Sequence, residues 1–142
     1  MKLYLDTSAL VKLYVTEEGS NRVRSALEQA DLVATASIAY VEARSAFVRR
    51  RSEGGLSAAE CGKAVKSLDA DWPHYFVLDV TERLIRHAAR AVESHRLRAF
   101  DALHLAAAIL FRGRLGEPLV FATWDGDLQK VAVKEKLDPL PD

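Results

Sequence analysis

Lys2-Leu3-Tyr4-Leu5-Asp6-Thr7-Ser8-Ala9-Leu10 decides how this sequence is read. Residues 2–5 are mostly apolar and too few for a helix, so they read as a short buried strand. Asp6, Thr7 and Ser8 follow, residue types that favour helix starts, and residues 8–14 carry a helical pattern. A four-residue strand passing straight into a helix is the first half of a βα unit.

The same alternation continues outward from that stretch. Residues 20–29 read as a helix and residues 32–35 as a second strand. Residues 37–53 read as a long helix with Ser37 as its N-cap, and residues 57–71 as another. Ser57 with Glu60 three residues on has the spacing of a capping box. Residues 75–78 form a third strand, 81–95 a helix, 119–122 a fourth strand, and 125–134 the last helix. Residues 100–111, Phe-Asp-Ala-Leu-His-Leu-Ala-Ala-Ala-Ile-Leu-Phe, are apolar on every side, so they predict a buried helix. Short strands separated by helices imply an α/β fold of three layers. Its centre is a parallel sheet of four to five short strands, joined by right-handed crossovers. Gly54-Gly55 and residues 113–118 break the pattern but are too short to link two domains, so residues 1–142 form one domain.

In such a sheet the ligand crevice lies beyond the carboxyl ends of the strands. Asp6 follows the first strand directly, and Asp125, in Ala-Thr-Trp-Asp, lies just past the fourth. Each also fits a helix N-cap, a use compatible with metal binding. Asp101 stands in the most apolar helix, where an enclosed carboxylate needs a partner or a cation. The helix dipole and His104, three residues on, are alternative partners. Glu42, in Ala-Tyr-Val-Glu, shares a helix face with Ile38, Ser45 and Arg49, and an ion pair with Arg49 is its structural alternative. Four carboxylates converging from separate elements would repel one another unless a cation stood among them. Oxygen ligands without cysteine or paired histidines point to Mg²⁺ or Mn²⁺ rather than zinc, and such sites suit phosphodiester hydrolysis.

Charge patterning bears on the substrate. Twenty basic and twenty acidic side chains cancel, so bulk charge does not mark a dedicated polyanion binder. The cations are clustered nonetheless: Arg44, Arg49, Arg50 and Arg51 in one stretch, and Arg83, Arg86, Arg90, Arg96 and Arg98 in another, with His87 and His95 between. They read either as solvated helix faces or as a phosphate-contacting rim, for which Arg49, Arg50 or Arg51 with Arg86 or Arg98 are the candidates. The single cysteine, Cys61, cannot form an internal disulfide. The first residues lack a signal-peptide core, and no apolar run is long enough for a membrane span. The expected location is therefore cytoplasmic.

The pieces Leu-Asp-Thr-Ser at residues 5–8, Ala-Tyr-Val-Glu at 39–42, Phe-Asp-Ala-Leu-His-Leu-Ala-Ala-Ala at 100–108 and Thr-Trp-Asp-Gly-Asp-Leu at 123–128 occur in the order seen in PIN domains. The sequence resembles that family and, within it, the VapC-type toxin ribonucleases. The resemblance spans residues 3–128 and implies the three-layer fold. It also implies Mg²⁺-dependent RNA cleavage with Asp6, Glu42, Asp101 and Asp125 in the four acidic positions. It further implies Asp6, Asp101 and Asp125 as the metal ligands, with Ser8 and Thr123 as polar helpers. It implies a homodimer and a VapB-like antitoxin as partners. The family spacing, with Leu three residues after the acid, selects Asp125 through Leu128 as the fourth acid and leaves an assisting role for Asp127 open.

Other functions fit less well. A haloacid-dehalogenase-like phosphatase needs a second Asp two residues after the first, where Ser8 stands. A histidine-based ribonuclease needs two imidazoles, and only His104 lies in an acidic motif, where it reads as a buried structural residue. A catalytically silent PIN-like binding module remains as the alternative from another class. The helix over residues 37–53 adds an expectation about contacts. Ile38, Val41 and Val48 should meet the sheet. Ala36, Tyr40 and Phe47 should face either the 57–71 helix or a second protein chain.

Overall fold

The computed structural model describes residues 1–142 and places β1 (Lys2–Leu5) at the centre of a parallel sheet. The other strands are β2 (Leu32–Ala36), β3 (Phe76–Leu78), β4 (Val120–Ala122) and β5 (Asp138–Pro139), in the order β3-β2-β1-β4-β5. Seven helices flank it: α1 (Thr7–Val11), α2 (Ser20–Gln29), α3 (Ile38–Ser52), α4 (Ala58–Asp71), α5 (Glu82–His95), α6 (Ala99–Leu115) and α7 (Gly126–Lys134). The three-layer α/β architecture is the one the alternation implies.

The pleat of β1 explains the layers. Leu3 and Leu5 point to one face and Tyr4 to the other, as successive strand residues must. Leu3 and Leu5 join a core with Leu10, Val23, Phe47 and Leu68, supplied by α1 to α4. Tyr4 joins a second core with Leu84, Leu105, Phe111 and Phe121, supplied largely by α5, α6 and the strands, and extended by α7. The chain builds β1, β2 and β3 to one side, then crosses to place β4 on the other, so the topological switch lies between β1 and β4. Leu5 pairs with Ala122 in register, and the Asp6 N–H donates to the Ala122 carbonyl at 3.1 Å. Asp6 and Asp125 thus leave the sheet at the same edge.

The α3 packing reverses the expected one at Val41 and Val48, whereas Ile38 does pack, partly buried, against the core that contains Tyr4. Its buried side chains are Ala39, Ala43, Ala46 and Phe47, whereas Val41 and Val48 are 66% and 58% exposed. Three alanines at helical spacing make a flat face that lets α3 come close to α1, which larger β-branched side chains would prevent. Phe47 is fully enclosed within this chain, edge-on to Tyr14, and so is no surface for a second chain. Tyr40 donates to Asp69 on α4 and packs edge-on to Trp72. Ser37 does not cap α3 with its side chain; its backbone is already helical, and its N–H donates to the Leu78 carbonyl at 2.9 Å. The capping box at Ser57 and Glu60 is present, with both hydrogen bonds made. No helix is long and apolar enough to cross a membrane.

Candidate active site

Asp6 and Asp125 are both helix caps. Asp6 Oδ1 accepts from the Ala9 N–H at 2.9 Å and the Ser8 hydroxyl at 2.7 Å. Asp125 Oδ1 accepts from the Leu128 N–H at 2.9 Å. Ser8 Oγ also accepts from the Trp124 N–H at 3.0 Å, and Thr123 Oγ1 from the Asp125 N–H at 3.1 Å. The Ser8 hydroxyl therefore ties the loop after β1 to the loop after β4, and the Thr123 hydroxyl braces the latter from within. Trp124 is further seated against Gly19, whose positive φ of 89° and missing side chain leave room for the indole.

Glu42 comes from α3 and reaches the same place. Its Oε1 accepts from the Thr7 hydroxyl at 2.7 Å and from His104 Nε2 at 3.1 Å. His104, 2% exposed, stands on α6 one turn after Asp101, and its Nδ1 is 2.8 Å from the Tyr4 hydroxyl. One consistent proton assignment has Tyr4 donating to Nδ1 and Nε2–H donating toward Glu42. Burial acts to raise the Glu42 carboxyl, but the bonds from His104 and Thr7 outweigh it and hold it below its ordinary value. The pairing with Arg49 is not made; Arg49 turns to the Ser45 hydroxyl at 3.3 Å.

Asp101 lies in the first turn of α6 with its side chain 23% exposed, at the mouth of the pocket rather than enclosed. Burial, with the neighbouring charges of Asp125 and Asp6, pushes its carboxyl above its ordinary value in spite of Arg98. The Arg98 guanidinium reaches Asp101 Oδ2 with Nε and Asp125 Oδ2 with Nη2, both at 3.4 Å.

All four sequence-predicted acids line one pocket of about 280 Å³, together with Thr7, Ser8, Arg98, His104 and Trp124. Asp127 is exposed on the first turn of α7 and Thr123 is buried; neither lines it. Four carboxylates face a single guanidinium there. Next to this pocket is a cleft of about 520 Å³ with the opposite balance: Lys12, Arg49, Arg50 and Arg98 against Glu17, Glu42 and Asp101. Lys12 Nζ and Arg50 Nη2 both hold Glu17, at 3.0 and 2.7 Å. Arg51 and Arg86 of the proposed rim are absent from both linings, and Arg86 pairs with Glu82.

The donor set suits a hard divalent ion: carboxylate oxygens, no thiolate, and a single imidazole already engaged. As the side chains stand, no three of the acidic or imidazole groups are close enough together to close on one ion. The sequence did not mark Thr7, and it placed Arg98 on a phosphate-contacting rim without showing its contacts to Asp101 and Asp125. Thr7 adjoins Asp6 in the chain, but its partner lies 35 residues away on α3.

Residues 3–134 match the PIN domain. The chain is 32% identical over 124 residues to Ribonuclease VapC45 of Mycobacterium tuberculosis, covering 87% of this chain and 83% of that protein. Its fold matches the crystal structure of M. tuberculosis VapC20, described as a sarcin-ricin loop cleaving toxin, with a TM-score of 0.66 at 16% identity over 92% of this chain and 95% of that one. It also matches VapBC2 from Rickettsia felis, solved bound to a DNA fragment from its promoter, with a TM-score of 0.62 at 14% identity over 98% and 97%.

Proposed function

Since the chain belongs to the PIN-domain family, we propose that it is the endoribonuclease toxin of a toxin–antitoxin pair, hydrolysing RNA phosphodiesters with a carboxylate-bound Mg²⁺ or Mn²⁺. The observation that carries this reading is the convergence of Asp6, Glu42, Asp101 and Asp125, from four separate parts of the chain, on one pocket. Asp6, Asp101 and Asp125 are the residues that would hold the ion. When bound, it acidifies nearby water and offsets the charge growing on the phosphate.

The chain's own groups have distinct parts. Glu42 spends Oε1 on Thr7 and His104, which leaves Oε2 to take a proton from attacking water. The basic cleft draws the phosphate chain toward a pocket that would repel it, and the exposed Phe100 ring beside Asp101 offers a face to an unpaired base. The cytoplasm is the compartment, a VapB-like antitoxin the inhibitor, and a homodimer the assembly. Val41 and Val48, rather than Phe47, are the exposed apolar side chains that α3 can give to a partner.

Labelled RNA incubated with the purified chain tests the activity. Cleavage is expected with Mg²⁺ or Mn²⁺ and is lost when EDTA is added. Cleavage that continues in EDTA would overturn the metal reading, and none with any divalent ion would favour the silent binding module. The cleft has its own test. Replacing Arg49 by Gln should weaken RNA binding across sequences and reduce the slope of log affinity against log salt by about 0.7, the share of one phosphate on a single strand. Anisotropy titrations at several salt concentrations read it, and an unchanged slope returns Arg49 to a solvated helix face.

A further inference from the structure

Arg98 differs from every other cation near the pocket. Lys12 and Arg50 are committed to Glu17, and Arg49 leans on Ser45. Arg98 alone takes its partners from the site carboxylates, and it borders both the acidic pocket and the basic cleft. Its contacts fall on Asp101 Oδ2 and Asp125 Oδ2, and the Asp125 atom is the one its helix cap leaves free. An entering ion needs those same oxygens. Both contacts are 3.4 Å and the side chain is 82% exposed, so leaving costs little. The planar fork that spans two carboxylates also fits a phosphate.

We infer that Arg98 is an exchangeable internal cation: it balances Asp101 and Asp125 when no ion does, is displaced as a divalent ion enters, and then binds an RNA phosphate at the pocket's edge. The inference rests on the reading of the acids as a metal site. Charge supports the exchange. Four carboxylates with Arg98 leave three negative charges in the pocket; four with a divalent ion leave two, and the freed guanidinium faces the incoming phosphate. Metal and RNA are then coupled through one side chain, and by linkage each must strengthen the other's binding equally.

The test uses the full chain and its Arg98→Gln variant. Calorimetric titration with Mn²⁺ should show R98Q binding the ion roughly threefold or more tightly than the parent, because its competitor is gone. RNA binding is measured by anisotropy with a labelled oligoribonucleotide, in a Glu42→Gln background that suppresses cleavage but keeps the three metal ligands. There R98Q should lose about five- to tenfold in affinity with Mn²⁺ present and less than twofold in EDTA, the scale of one released phosphate contact. Equal or weaker Mn²⁺ binding by R98Q overturns the inference, as does an RNA loss of the same size in Mn²⁺ and in EDTA. If the parent binds no Mn²⁺ and Asp101→Asn behaves identically, the metal reading fails, and this inference with it.

Discussion

Replacing Asp101 by Asn is expected to remove RNA cleavage, by a factor on the order of 10²–10³, while leaving the protein folded. The side chain lies at the pocket mouth, its helix is anchored by Ala102, Leu105 and Ala106 below it, and the amide preserves the shape. The same change should stabilise the protein without metal. Burial and the charges of Asp125 and Asp6 hold this carboxyl above its ordinary value. A carboxyl raised by folding contributes its full stability only below the unfolded value of about 3.9, and loses it as pH rises through the folded value. At neutral pH the ionised group therefore opposes folding, and the amide does not. Thermal melts in EDTA should show the variant above the parent at pH 7, with the gap closing toward pH 4. A variant that cleaves at the parent rate removes Asp101 from the site, and one that melts lower at pH 7 contradicts the electrostatic account.

His104→Leu should be the most damaging single change to the pocket's support. The imidazole is enclosed and joins the Tyr4 hydroxyl, also fully buried, to Thr7 and Glu42. Leucine fills a similar volume but strands the Tyr4 hydroxyl and one bond of Glu42, a loss of about 1–3 kcal/mol for the buried group left unpaired. Activity should fall further than stability alone explains, because Glu42 keeps only Thr7 to orient it. Glutamine in the same place can accept from Tyr4 and donate to Glu42, so His104→Gln should recover part of both. Urea midpoints and kcat together read this. A leucine variant with the parent's midpoint would show that the network does not hold the core.

Much of this was legible because particular signals were local. The strand at Lys2–Leu5 announced itself by length and apolarity, and α6 by a run of apolar residues that no surface helix carries. The four acids stood out because three follow or open regular elements and the fourth sits in a helix of readable period. What was illegible depends on packing. Hydrophobic size alone put Val41 and Val48 against the sheet, whereas closeness of approach selected the alanine face. β5, a two-residue edge strand containing Pro139, has no periodic signal at all. The acidic pocket's one cation, Arg98, read as part of a basic stretch because its partners include Asp125, 27 residues away across the sheet.

The two capped helix starts also bear on how Asp6 and Asp125 would hold an ion. Asp6 gives Oδ1 to Ala9 and Ser8, and Asp125 gives Oδ1 to Leu128, so Oδ2 is the freer arm of each carboxylate. Calcium favours six to eight oxygens at about 2.3–2.6 Å, often with a carboxylate gripping through both. A smaller octahedral ion that keeps much of its own water asks only for single oxygens. On the proposed metal reading, the hydrogen bonds that begin α1 and α7 would double as a size filter, set when those helices fold and before any ion arrives.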